Sequence, residues 1–117
     1  MPNPIVHFEI LGTNGAALQQ YYADLFGWTI DADNPMKYGL VDTGAGEHAL
    51  RGGIGDTDNG QPTTCFYVGV DDPQAYLDKA TAAGGTMVVP VTEIPNMVTF
   101  AQFADPEGNV IGLVKTP

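Results

Sequence analysis

Ile5-Val6-His7-Phe8-Glu9-Ile10-Leu11 and Thr64-Cys65-Phe66-Tyr67-Val68-Gly69-Val70 together decide the architecture of this chain. The first stretch alternates β-branched and aromatic residues with polar ones, which is the period of a strand whose two faces meet different surroundings. Phe8 and Ile10 face one way, His7 and Glu9 the other. The second stretch lies fifty-eight positions on, the step from His7 to Cys65, and also reads as a strand.

Each strand leads into a helix. Thr13 or Asn14 offers an N-cap, and Leu18, Tyr21, Tyr22 and Leu25 fall at i, i+3, i+4 and i+7 before Gly27 stops the pattern. In the second half Asp71-Asp72-Pro73 supplies a cap with proline in the first turn. Tyr76, Leu77, Ala80 and Ala83 form the apolar stripe there, and Gly84-Gly85 ends it. Three strand-like segments follow each helix: Trp28–Ile30, Lys37–Asp42 and roughly His48–Ile54, then Thr86–Val91, Val98–Phe103 and Val110–Val114. Asp105-Pro106-Glu107-Gly108-Asn109 predicts a hairpin turn between the last two. The expected fold class is therefore α+β, with two βαβββ half-repeats at about 1–58 and 59–117 in a single domain spanning 1–117. Each half alone leaves one sheet face uncovered, so the halves are expected to combine and a second copy to cover more surface as a homodimer.

A chain of 117 residues, 44% hydrophobic and 15% charged, has enough apolar material for a core without disulfides, and no apolar run approaches the ~20 residues of a membrane span. Fourteen acidic against four basic residues give a net charge of −10, which repels phosphate backbones and anionic lipid headgroups. Neither nucleic acid nor a membrane is expected as a partner; a cationic small molecule would be attracted. Met1-Pro2-Asn3-Pro4 lacks the basic start and apolar stretch of a secretory signal, so a cytoplasmic location is expected. Cys65 is the single cysteine and stands in a strand context, which suits a buried thiol better than a metal knuckle.

Val6-His7-Phe8-Glu9, Tyr21-Tyr22-Ala23-Asp24-Leu25-Phe26-Gly27-Trp28 and Phe103-Ala104-Asp105-Pro106-Glu107-Gly108-Asn109 together resemble the vicinal-oxygen-chelate superfamily of glyoxalase I, the bleomycin-resistance proteins and the extradiol dioxygenases. The resemblance covers nearly the whole chain. It implies a U-shaped mixed sheet around a cleft, a homodimer, and, in metal-using members, ligands from the first and fourth strands of each unit. Carried onto this sequence, the first-strand positions are His7 and Cys65. The fourth-strand position of the second unit is Gly112, and the corresponding stretch Ala49-Leu50-Arg51-Gly52-Gly53-Ile54-Gly55 holds no carboxylate or imidazole. A hard divalent metal needs several oxygen or nitrogen ligands, so no metal and no other cofactor is expected.

His7 and Glu9 are the candidate catalytic residues, and two readings of them stand: a hydrogen-bonded pair filling the cleft mouth, or groups that orient or ionise a ligand. The expected ligand-binding set is His7, Glu9, Cys65, Tyr67, Phe100 and Gln102, with His7, Glu9, Cys65 and Gly112 on one concave face and Phe8, Ile10, Phe66 and Val68 beneath the helices. For the seventh strand, alternation leaves open whether Phe100 and Gln102 or Thr99, Ala101 and Phe103 line the cleft. Trp28 reads as core, Glu47 and His48 as solvated turn residues, and Arg51 as the ion-pair partner of Glu9 or Asp42. No nucleophile elbow, catalytic triad or dinucleotide fingerprint is present. The expected function is binding of a small organic molecule without a metal; the alternative is a glyoxalase- or isomerase-type enzyme using His7 or Glu9, with or without a divalent metal.

Overall fold

Asn14 and Asp72 start the two helices of the computed structural model, which describes residues 2–44, 46 and 49–117. The element order is β1 (Ile5–Gly12), α1 (Gly15–Phe26), β2 (Thr29–Asp31), β3 (Gly39–Asp42), β4 (Gly52–Asp56), β5 (Thr63–Val70), α2 (Pro73–Ala82), β6 (Thr86–Ile94), β7 (Val98–Ala104) and β8 (Val110–Lys115). This is the expected strand, helix and three strands, given twice. Two compact units result, one of His7–Thr64 and one of Cys65–Pro117 with the residues up to Val6, so the unit boundary falls inside β1.

In the His7–Thr64 unit the strand order is β2-β3-β4-β1, with β1 parallel to β4 and the other pairs antiparallel. Asn14 caps α1 by accepting from Ala17 N at 3.1 Å, and Gly27 closes it in the left-handed conformation. Asp56 Oδ1 accepts from Gly15 N at 2.7 Å, and Gln19 Nε2 donates to Ile54 O at 2.7 Å, which ties the helix to β4. Val41 and Ile54 are buried, and the rings of Phe8, Tyr22, Phe26 and Trp28 meet one another, stacked or tilted, at centroid distances of 5.0 to 6.2 Å. Trp28 thus belongs to the packing, as expected.

The expected helix stripe needs correction. Leu18 and Tyr22 turn inward, but Tyr21 is 58% and Leu25 56% exposed. The face that meets the sheet is Gly15, Leu18, Gln19 and Tyr22, because the amide of Gln19 has two backbone acceptors to satisfy and takes the place an apolar residue would have had. The fourth strand also begins later than expected, at Gly52, and Ala49 and Leu50 precede it. His48 and Glu47, with Ala45, lie outside the described residues.

In the other unit the order is β5-β8-β7-β6, with β5 parallel to β8. Asp72 Oδ1 accepts from Ala75 N at 3.2 Å and Pro73 opens α2. Val70, Leu77, Ala101 and Leu113 form the buried core, with Val68, Tyr76, Val91 and Phe103 against it. The expected hairpin joins β7 and β8: Asp105 Oδ1 accepts from Glu107 N and Asn109 N, both at 2.9 Å, and Gly108 takes φ +97°. The Asn109 side-chain amide, donating to Asp105 Oδ2 at 2.9 Å, together with those backbone bonds, holds the Asp105 carboxyl below its ordinary range. Phe66, expected beneath a helix, is 38% exposed. Helix α2 lies over β6, β7 and β8.

Candidate functional site

Asn34 builds the first half of the site before any polar side chain enters it. Its Oδ1 accepts from Tyr38 N at 3.0 Å and its Nδ2 donates to Tyr38 O at 2.8 Å, so one side chain brackets the Tyr38 backbone. Lys37 adopts φ +55° in that turn, and its carbonyl accepts from Gln19 at 3.1 Å. Gly39, the next residue, faces Gln19 and Ile30 on the helix side, and alternation sends Tyr38 to the opposite face with His7 and Glu9.

There the Tyr38 ring lies over Gly53, which is paired with Glu9 across β1 and β4. A Cβ on Gly53 would fall far inside contact distance of that ring. The Tyr38 hydroxyl donates to Glu9 Oε2 at 2.8 Å and lies 2.9 Å from His7 Nε2, and the His7 and Tyr38 rings run nearly parallel, 21° apart. Burial lowers the His7 pKa from its ordinary 6.5, favouring the neutral imidazole. His7 and Glu9 are thus joined through a third residue.

The Cys65–Pro117 unit repeats the device with different parts. Tyr67, 6% exposed, stands on β5 opposite Gly112, and a Cβ on Gly112 would penetrate the Tyr67 ring. Gln102 Nε2 donates to the Tyr67 hydroxyl at 2.7 Å, and the Phe100 ring meets Tyr67 edge-on at 6.4 Å. Of the two faces left open for β7, Phe100 and Gln102 therefore share one with Tyr67, while Ala101 and Phe103 pack with α2. Cys65 is half-buried on β5, two residues from Tyr67 and on its face.

These contacts test whether the four metal-ligand positions fit a metal. Gly53 and Gly112 occupy equivalent places in the two units, each opposite the residue two beyond His7 or Cys65. Neither has a donor atom, and the space a donor side chain would fill is taken by a tyrosine ring. Among the described residues no three His, Cys, Asp or Glu side chains gather closely enough to hold a metal ion. The donor set does not fit a hard divalent metal, and no chemical step is assigned to one.

Sequence reasoning missed Tyr38. The signal was the run Gly52-Gly53-Ile54-Gly55 in a buried strand, where missing side chains call for something large to lie above. Arg51 pairs with Asp42 at 3.8 Å, one of the two partners expected, and both side chains are exposed, so the pair contributes little. A hollow of about 320 Å³ under α2 is walled by Val68, Val70, Tyr76, Phe103 and Leu113, with Lys79 resting 4.8 Å over the Tyr76 ring. It lacks the convergent polar groups that orient a ligand, and the two tyrosine clusters have them.

The profile of the Glyoxalase/Bleomycin resistance protein/Dioxygenase superfamily matches residues 4–113. The CFP32 proteins of Mycobacterium bovis and Mycobacterium tuberculosis, which carry a provisional glyoxylase name, are 28% identical over 112 residues. That match covers 90% of this chain, and the chain spans 42% of those relatives' length. Methylmalonyl-CoA epimerase from Mycobacterium tuberculosis superposes with a TM-score of 0.66 at 15% identity, covering 97% of this chain and 87% of that one. A superfamily member from Vibrio splendidus gives 0.61 at 13% identity, covering 98% and 100%. At such identities these two show the fold alone. No helix among the described residues is long and apolar enough to cross a membrane.

Proposed function

Because the chain belongs to the glyoxalase/bleomycin resistance protein/dioxygenase superfamily, and because tyrosine rings cover the glycines at two of its metal-ligand positions, we propose that it binds a small organic molecule through hydrogen bonds and ring contacts, without a metal. The observation that carries this is the His7–Tyr38–Glu9 cluster, three half-buried polar side chains within 2.9 Å of one another in sequence His7, Tyr38, Glu9. His7, Tyr38 and Glu9 are the proposed contacts in one unit, and Cys65, Tyr67, Phe100 and Gln102 in the other. The net charge of −10, with only four lysines and arginines in the chain, favours a neutral or cationic ligand over a polyanionic one such as a CoA thioester. The proposed assembly is a homodimer, supported by exposed Tyr21, Leu25 and Phe26 along α1, and sedimentation reads it directly.

The test is a thermal-shift titration with a panel of neutral and cationic organic molecules and an acyl-CoA as anionic comparator, each run once with a chelator and once with a divalent metal added. A ligand at a hundred times its Kd stabilises by about 2.7 kcal/mol. Stabilisation by neutral or cationic members that Tyr38→Phe weakens supports the proposal. A response only to the acyl-CoA, or only with added divalent metal, overturns it.

A second reading has its own observation. Burial keeps His7 neutral near pH 7, the state a general base needs, so an isomerase- or lyase-type reaction using His7 or Glu9 is the alternative. Under it, His7→Ala abolishes turnover while largely sparing affinity.

A further inference from the structure

The chain has six asparagines, and two of them, Asn14 and Asn59, precede glycine. Glycine has no side chain to shield its nitrogen, so an Asn–Gly pair is where a backbone nitrogen most easily reaches the amide carbon of the preceding side chain. The structure treats the two pairs oppositely. Gly15 is buried and its N–H donates to Asp56 Oδ1 at 2.7 Å. Asn14 is held as the cap of α1, its Oδ1 accepting from Ala17 N and its carbonyl from Leu18 N, both at 3.1 Å. Asn59 and Gly60 are exposed in the segment between β4 and β5, with open space where a side chain on Gly60 would go. Among the described residues no acceptor holds the Gly60 N–H. Asn59 Oδ1 accepts from Thr57 Oγ1 and Gln61 N, each at 3.0 Å. Two donors on that oxygen draw electrons from Cγ and stabilise the charge that builds up when a nucleophile adds there.

We propose that Asn59 is a self-modification site, where Gly60 N closes on Asn59 Cγ and the side-chain amide is lost as ammonia, while Asn14 is protected. In the closure the Gly60 nitrogen gives its proton to hydroxide and bonds to Cγ; the Cγ–Nδ2 bond breaks, and Nδ2 takes a proton from water as it leaves. Water then opens the cyclic imide at either carbonyl, leaving aspartate or isoaspartate. One water is consumed and one ammonia released, with no oxidant, reductant or cofactor. Either product adds a negative charge, and isoaspartate also carries the main chain through Cγ, lengthening the turn that the Gln61 N–H closes. The loop joining the two half-repeats therefore changes as the molecule ages, independently of any ligand.

The test incubates the full chain, folded and without added ligand, at mildly alkaline pH. Mass spectrometry of the two Asn–Gly peptides over time reads the gain in mass when an amide becomes a carboxyl. Asn59 is expected to convert faster than Asn14 by about tenfold or more, since Asn14 must first give up its cap and the Gly15 bond to a carboxylate. In denaturant neither environment persists, and the gap is expected to close. Thr57→Val removes one donor from Asn59 Oδ1 and is expected to slow conversion there by about twofold to tenfold. An Asn59 rate at or below that of Asn14 in the folded chain, a gap as wide in denaturant, or an Asn59 rate unchanged by Thr57→Val overturns the proposal. If Thr57→Val does not fold, the comparison of folded and denatured wild type decides alone. Because no ligand is added, failure here is distinct from failure of the thermal-shift titration.

Discussion

Gly53→Ala puts the role of Tyr38 to a quantitative test. The added methyl group falls inside the Tyr38 ring, on a strand buried between β1 and β3, so the ring has to leave. Forcing a methyl group into a packed site costs about 1–3 kcal/mol. Moving the ring also forfeits the bond to the Glu9 carboxylate, worth about 1.5–3 kcal/mol, and the bond to His7, worth about 1. The expected loss is on the order of 3.5–7 kcal/mol, a large part of a typical folding free energy of about 5–15, with a fall in Tm of roughly 10 °C or more. In a Tyr38→Ala background the same methyl group enters empty space. There Gly53→Ala is expected to be neutral or to stabilise by about 0.5–1 kcal/mol, since alanine restricts the unfolded chain more than glycine does. Denaturant unfolding of the four proteins gives the coupling, which is expected to exceed about 2 kcal/mol. Additive costs, or a Gly53→Ala cost below about 1 kcal/mol in the wild-type background, would refute the ring-over-glycine arrangement.

Gly112→Ala is expected to behave alike through Tyr67, with a destabilisation of about 2–4 kcal/mol that Tyr67→Ala largely relieves, read by the same unfolding cycle. For pH, the folded-state pKa of His7 lies below its ordinary 6.5, so the unfolded chain takes up the proton more readily. Stability is therefore full above pH 6.5, declines as pH falls below it, and stops declining on this account below the folded pKa; His7→Gln removes that slope in a series of Tm measurements. The Asp105 effect has the opposite origin and a lower window, since stability from its lowered carboxyl is present above 3.8 and lost as pH falls through the folded value.

Much of the fold was legible because it is written in local chemistry. Asn14 and Asp72 cap their helices, Asp105 organises its turn, and the alternation in Ile5–Leu11 separates His7 and Glu9 from Phe8, all features that neighbouring residues decide among themselves. What local pattern could not carry was tertiary. Leu25 fits an apolar stripe but is exposed, because Gln19 won the sheet-facing position through bonds to Ile54 and Lys37, far away in sequence. Strand β4 was misplaced because three of its five residues are glycine, which has little strand preference, and it forms through its pairing with β1 and β3. Tyr38 escaped notice for the same reason: what makes it part of the site is Gly53 beneath it and Asn34 holding its backbone. The polar residues of the first strand were recognisable as a candidate site, but not the hydroxyl that joins them.

Elemental analysis of the purified protein tests most directly the proposal that this chain, whose tyrosine rings lie over Gly53 and Gly112, binds an organic molecule without a metal. The expected result is no stoichiometric zinc, nickel, iron or manganese, and a Tm unchanged by a chelator, because no metal-binding free energy supports the fold. One metal per chain that survives dialysis and is lost in His7→Ala would contradict the account and favour a metal-dependent enzyme.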